Sequence, residues 1–301
     1  MAEWKGKTRG GLTGYKIFIA ILRYPGLSFA YFLLYFVALY YFIFAPGSFR
    51  DIFSFYRKRL YYSFLKSVFS VYRNYYQFGQ VILDKIASMG GLGAKFTFDF
   101  EGEQYLRKMV SAGSGGLLIS AHIGNFEMAG HMLERLNTRV NILMVDAEHQ
   151  KIKEYLTSFT RKSFNIIPIS EDNSHIYSIS AALKNHEIIC MHGDRFMPGS
   201  KTVTVKFLGE KAQFPTGPFY LAMKYAVPVS FVFAMKDSKK HYHFYATEPA
   251  LYAQQSSPAR RDEMLKKIIS EYILSVEEKI HKYPFQWFNY YNFWYIGNTK
   301  G

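Results

Sequence analysis

Between Tyr24 and Phe49 the chain carries no charged residue. Pro25-Gly26 opens this stretch and Pro46-Gly47 closes it, leaving Leu27 to Phe44 (LSFAYFLLYFVALYYFIF) as an expected helix of 18 residues. At about 1.5 Å per residue it is roughly 27 Å long, against a bilayer hydrocarbon core of about 30 Å. Such a helix just spans, or it lies embedded near the surface. Its many Tyr and Phe side chains favour the interfacial zone. The competing reading is the buried core helix of a globular domain. Phe42-Ile43-Phe44 offers no small-residue cleavage site, so a retained anchor is expected rather than a signal peptide.

The flanks of this segment are basic. Of the 14 excess positive charges in 301 residues, nine fall within residues 1–75. Lys16 and Arg23 precede the apolar run, and Arg50, Arg57, Lys58 and Arg59 follow it. Positive charge at both ends fits a helix inserted at a shallow angle better than a clean span. A basic region points to nucleic acid or to an anionic membrane. The chain has no helix-turn-helix, zinc-finger or RNP-type signature, and its basic residues surround an uncharged hydrophobic run. The membrane is the partner expected, and nucleic acid is not.

The next segment reads as amphipathic. Leu60, Phe64, Val68, Val71, Tyr75, Phe78, Ile82 and Ile86 fall within about a quarter-turn of each other on a helical wheel. Lys58, Arg59, Lys66 and Arg73 cluster on the opposite side, as suits a helix resting on anionic headgroups. A globular-domain helix with a solvated basic face fits equally well. The glycines of Met89-Gly90-Gly91-Leu92-Gly93 then mark a boundary. It separates membrane-anchoring helices over 1–90 from a second domain over 91–301.

Beyond that boundary short apolar runs alternate with helical ones. Strands are expected at Leu117–Ser120, Val140–Val145, Ile166–Ile169, Glu187–Met191, Val227–Met235 and His241–Ala246. Helices are expected at Asn125–Leu136, Lys151–Phe164, Ile176–Leu183, Phe219–Tyr225 and Arg260–Ile280, with a hairpin over Thr202–Phe214. This alternation predicts an α/β fold, a mixed, largely parallel sheet flanked by helices, with the hydrophobic membrane helix at its N-terminus. The single cysteine, Cys190, excludes an intramolecular disulfide and any Cys-cluster metal site, and its apolar strand makes it an inert core thiol.

The chain lacks a GxGxxG turn, a GxxxxGK[ST] loop, a GxSxG elbow and an HExxH helix. What remains is Ser120-Ala121-His122-Ile123-Gly124-Asn125-Phe126-Glu127. His122 follows the carboxyl end of a strand, where α/β sheets place ligands. Glu127, five residues on, is expected to reach the imidazole, fix its tautomer and support the imidazolium. This is the base-and-orienter half of a serine-protease triad without the serine. A base without a resident nucleophile must activate a hydroxyl or amine of a substrate, so transfer to an acceptor is implied. The spacing alone is weak, since composition gives about 0.7 chance matches to His-x4-acid. His149 with Glu154 and His243 with Glu248 also match, the first on a charged surface and the second inside a strand. His241 and His243 alternate along one strand with a single acid beyond it, a poor metal site.

The stretch around HIGNFE resembles the signature block of the glycerolipid and lipid A acyltransferase superfamily, whose H-x4-D/E motif supplies the catalytic base. It looks most like the late acyltransferases of lipid A biosynthesis, which use the glutamate variant. Other blocks match in order: the basic N-terminal hydrophobic helix, Thr160-Arg161-Lys162, Met191-His192-Gly193-Asp194-Arg195, Lys206-Phe207-Leu208-Gly209, and the aromatic Pro284-Phe285-Gln286-Trp287-Phe288. Two departures bear on the acceptor more than on the reaction. The strand-end block is Gly-Asp-Arg where the lipid A enzymes more often carry a histidine between two acids. The C-terminal segment is tyrosine-rich where theirs tends to be basic.

The resemblance implies a membrane-associated acyltransferase that moves a fatty acyl chain from an acyl thioester, with acyl carrier protein as donor, to a lipid hydroxyl. His122 and Glu127 are its catalytic pair, and Asn125, Arg161, Asp194 and Arg195 its substrate-binding residues. Asp194-Arg195 would either hold the active-site loop by an internal ion pair or position an anionic acceptor or the donor's phosphopantetheine. Arg161 and Lys206 would bind phosphate or stand as solvated charges. No metal or organic cofactor is expected, and the cytoplasmic face of the inner membrane is the expected location. The acceptor would be lipid A, a simpler lyso-lipid or an acylated amino acid. The rival classes are a metal-dependent hydrolase using His122, Glu127, His192 and Asp194, and a membrane-surface protein without turnover.

Overall fold

Gly26 sits at a φ of 87°, a conformation that disfavours any residue with a Cβ, and it separates two helices. These are α1 (Leu12–Arg23) and α2 (Leu27–Phe44), and Pro46 then opens α3 (Pro46–Lys58). The Pro-Gly punctuation thus bounds α2 where the sequence places it. This computed structural model describes residues 12–89, 96–126, 128–129, 133, 135–136, 138–145, 165–170, 174–196, 199–253 and 257–294.

α2 has two faces of different character. Leu27, Ala30, Tyr31, Leu34 and Ala38, spaced three and four apart, are buried. They pack on α4 (Phe64–Met89), where Gly79 admits Leu34: a Cβ there would come within 2.3 Å of Leu34 Cδ1. Phe29, Phe32, Tyr35, Phe36, Leu39, Tyr40, Ile43 and Phe44 face outward, each between 43% and 66% exposed. α2 is the one helix among the described residues long and apolar enough to cross a membrane.

The amphipathic stripe expected to run on from Leu60 is interrupted. Residues 59–63 leave the helix, and Tyr61 adopts a φ of 54°. The chain turns here because Arg57 Nη1 donates to Tyr62 O, closing the corner between α3 and α4. Two of the basic residues expected to meet headgroups also make contacts within the fold. The Arg59 guanidinium lies 4.7 Å above the Trp294 ring and that of Arg73 lies 4.3 Å above Phe285. These cation–π contacts tie the helices to the aromatic C-terminal segment.

Then follow β1 (Thr97–Glu101), α5 (Glu103–Ser111), β2 (Gly116–Ser120), β3 (Val140–Val145), β4 (Asn165–Ile169), α6 (His175–Lys184) and β5 (Ile188–His192). A hairpin of β6 (Thr202–Phe207) and β7 (Glu210–Pro215) leads to α7 (Gly217–Tyr225), β8 (Val229–Lys236), β9 (His241–Ala246) and α8 (Pro258–Lys282). Seven strands form one sheet in the order β1-β9-β8-β2-β5-β3-β4, with β6 and β7 paired separately. Every neighbouring pair in the large sheet is parallel except β8–β9. Central β2 (GLLIS) and β8 (VSFVFAMK) are buried along their whole length, as strands covered on both faces must be. Phe55 and Tyr56 of α3 and Val71 of α4 join the same apolar cluster as Leu117, Ile119, Phe231 and Tyr272.

The helix expected at Asn125–Leu136 lies only in part within the described residues. Its first described residues form tight turns, with Met128 N donating to Asn125 O and Ala129 N to Phe126 O, and further on Leu133 is helical, its N–H donating to Ala129 O four residues back. The expected helix at Lys151–Phe164 and the glycines at 90–93 lie outside the described residues.

Candidate active site

Strand β2 satisfies its backbone on both sides, with β5 along one edge and β8 along the other. The β2–β5 ladder ends at Ser120 opposite His192, so both chains leave the sheet side by side at their carboxyl ends. Gly193 N donates to Ser120 O at 2.9 Å and holds the β5 exit close. A Cβ on Gly193 would lie 2.9 Å from Ile119 Cγ2 and 3.0 Å from the rings of Phe219 and Tyr272. A side chain there would have to displace these packed groups, and Asp194 follows Gly193 into the site.

Asp194 reaches across to His122 with both oxygens. Oδ1 is 2.8 Å from His122 Nδ1, and Oδ2 accepts the His122 backbone N–H at 2.9 Å. Burial opposes the charge of Asp194. The charge and hydrogen bond of His122, with the charge of Arg195, outweigh that and hold its carboxyl well below the usual range. An ionised carboxylate can only accept, so Nδ1 carries the proton and Nε2 keeps its lone pair. Burial also pushes the His122 pKa below the ordinary histidine value, with Arg195 adding to the fall and Asp194 resisting it. The result is a neutral, oriented imidazole at the mouth of the sheet.

The loop carrying His122 is fixed at several points. Gly124 N donates to Gln286 O at 2.8 Å, Asn125 N to Ala234 O at 2.7 Å, and Phe288 N to His122 O at 3.0 Å. Gly124 has a φ of 65°, and a Cβ there would lie 2.2 Å from Ala234 O. Gly124→Ala is therefore expected to destabilise the protein by about 2–4 kcal/mol through backbone strain and overpacking. Chemical denaturation of the variant checks this, and an unchanged midpoint would show that the loop adapts.

The expected site residues fall into different places. Asn125 is buried, and its Nδ2 donates to Val81 O and to Tyr242 Oη. Arg195 directs Nε to Asn289 Oδ1 at 3.0 Å and Nη2 to Phe288 O at 2.7 Å, bracing the aromatic segment behind the site. Lys206 is exposed on the hairpin. Glu127 and Arg161, like the His149–Glu154 pair, lie outside the described residues. His241 pairs with Asp99 and His243 with Glu101 along the β1–β9 edge. Among the described residues no group of three or more His, Cys, Asp or Glu is arranged to hold a metal ion.

The sequence assigns Asp194 to substrate binding, and only its rival hydrolase reading groups it with His122; the pairing itself spans 72 residues of chain. The available signal was local: a Gly-Asp step at the end of an apolar strand. The Cys190 thiol on β5 is pushed up to about 12 by burial, in keeping with an inert side chain.

Residues 71–294 match the family model for bacterial lipid A biosynthesis acyltransferases. Over 128 residues the chain is 29% identical to phosphatidylinositol mannoside acyltransferase of Mycobacterium tuberculosis, covering 41% of this chain and 39% of that protein. The corresponding protein of Mycolicibacterium smegmatis is 28% identical over 125 residues, 40% of each chain. The alignment thus spans about two fifths of these curated relatives. The crystal structure of 1-acyl-sn-glycerophosphate acyltransferase from Thermotoga maritima superposes with a TM-score of 0.36 and 16% identity, covering 82% of this chain and 95% of that one. The family match runs from α4 to the aromatic segment, through the His122 loop and Asp194, and the chain belongs to the bacterial lipid A biosynthesis acyltransferase family.

Proposed function

We propose that the protein transfers a fatty acyl chain from an acyl thioester to a hydroxyl group of a lipid at a membrane surface. The observation that carries this reading is the His122–Asp194 pair at the carboxyl ends of adjacent strands. Nε2 of His122 takes the proton of the acceptor hydroxyl as its oxygen bonds to the thioester carbon. The tetrahedral intermediate then collapses with cleavage of the C–S bond, and the imidazolium returns the proton to the departing thiolate. Asp194 holds the ring and stabilises the imidazolium, a role that Glu127 shares in this proposal.

Acyl carrier protein is the proposed donor, an acidic protein suited to a chain with 37 Lys+Arg against 23 Asp+Glu. The acceptor we favour is a lipid A precursor, with a simpler lyso-lipid or a mannosylated phosphatidylinositol as the alternatives. Residues 1–90 would dock on the cytoplasmic face of the inner membrane, and residues 91–301 would hold the chemistry. The test is turnover by purified protein, reconstituted in vesicles, with acyl carrier protein and coenzyme A thioesters against each acceptor, read by lipid mass spectrometry. Absence of transfer from every thioester would reject the reading.

The membrane part of the proposal rests on the outward face of α2. Eight large apolar side chains there are a patch that water disfavours and an interface accepts. Phe32→Glu, Phe36→Glu and Tyr40→Glu combined leave the buried face intact. This triple variant is expected to move most of the protein to the soluble fraction and retain only salt-sensitive membrane binding. Equal sedimentation with membranes at low and high salt would show that α2 is not what holds it.

A further inference from the structure

The register that sets Ser120 opposite His192 brings a second imidazole to the site. The His192 ring centroid is 4.3 Å from that of His122, with the planes inclined by 49°. Phe126 closes on His192 edge-to-face at 4.3 Å, so the ring is held from two sides. His192 is half-buried, and among the described residues neither of its ring nitrogens has a hydrogen-bond partner.

The proposed reaction requires an oxyanion donor. As the acceptor oxygen attacks, negative charge builds on the thioester carbonyl oxygen, and a preorganised N–H must meet it. The backbone N–H groups of His122, Gly124, Asn125 and Gly193 all donate elsewhere. Arg195 turns two of its nitrogens toward Phe288 and Asn289.

We infer that His192 is the oxyanion donor of the acyl transfer, one ring N–H meeting the carbonyl oxygen while His122 takes the acceptor proton. The inference rests on the acyl-transfer reading of the site. Its chemistry is consistent: burial, with the nearby charge of His122 and that of Arg195, outweighs the pull of Asp194 and lowers the His192 pKa to about 3. At working pH the ring is neutral and keeps one N–H, the form in which an imidazole acts as an electrophile toward a developing oxyanion. A neutral neighbour also leaves His122 free to become the imidazolium without a second charge beside it.

The experiment compares His192→Phe with His192→Gln in the full-length protein in vesicles, measuring kcat, KM for the thioester and the thermal midpoint. His192→Phe keeps a flat ring against Phe126 and removes the donor. It is expected to lower kcat by about 100-fold with little change in KM. His192→Gln restores an N–H and is expected to recover at least about tenfold of that loss. If His192→Phe folds poorly, His192→Met serves as the donor-free arm. Phe (or Met) and Gln variants of equal kcat, or a loss confined to KM, overturn the inference. His192→Phe with wild-type kcat beside an inactive His122→Ala removes the oxyanion role alone. An active His122→Ala removes the acyl-transfer mechanism beneath it.

Discussion

His122→Ala is expected to lower kcat for acyl transfer by about a thousandfold or more while leaving the thermal midpoint nearly unchanged. Without Nε2 the acceptor hydroxyl must react with its proton in place, and general base catalysis alone is worth about 10²–10⁴. Asp194→Asn should fall in the same range, because an amide can pair with the other tautomer and leave Nε2 protonated. The pH profile carries a second expectation. His122 must be neutral to act, and its pKa is lowered in the folded protein. Activity should therefore persist as pH falls through the ordinary histidine value of about 6.5 and be lost only below it. An acid limb above that value, or full activity in His122→Ala, would place the base elsewhere.

Asp84→Ala is expected to produce the largest loss of stability among single substitutions outside the site. Asp84 on α4 is 0% exposed and accepts from Lys236 Nζ, Tyr31 Oη and Tyr242 Oη. Lys236, at the end of β8, is also buried, and Nζ donates further to Tyr31 Oη at 3.0 Å and Lys239 O at 2.8 Å. Two buried charges satisfied in this way contribute little net stability, but removing one strands the other at about 3–5 kcal/mol. Asp84→Ala with Lys236→Met should regain most of the loss, since neither charge then remains. Chemical denaturation of the single and double variants decides this. Equal destabilisation in both would mean that the cluster acts through packing and not through charge.

The sequence made some of this legible and hid the rest for identifiable reasons. Pro25-Gly26 and Pro46-Gly47 act through their own backbones, so the limits of α2 could be read directly. The strands were legible because β2 and β8, buried on both faces, are continuous apolar runs. The break at Tyr61 was not, since the apolar spacing from Leu60 to Ile86 continues across a corner closed by Arg57 and Tyr62. The start of the segment expected to be helical after Asn125 is tied down by tertiary bonds, the Gly124 and Asn125 N–H groups going to Gln286 and Ala234. His122 stood out by its place after a strand. Asp194 stood out in its strand-end block, but its partnership with His122 did not, because that depends on which strand lies beside β2. Asp84 and Lys236 left a fainter signal, each standing beside an opposite charge, Lys85 and Asp237, at the edge of an apolar run.

The pairing of His122 with Asp194 across neighbouring strands also sets when the chain becomes reactive. Each side chain belongs to a separate stretch of polypeptide, and the bond between them closes a loop of 72 residues. Such non-local contacts form late, after the ordering cost of the intervening chain has been met. A partly folded molecule, even one whose first helices already rest on a bilayer, holds an imidazole with no fixed tautomer and no oriented lone pair. Acyl transfer during refolding would therefore report zipping of β2 to β5, while fluorescence of the N-terminal helices would report earlier events. A lag between the two signals is the kinetic signature of a base assembled by the sheet.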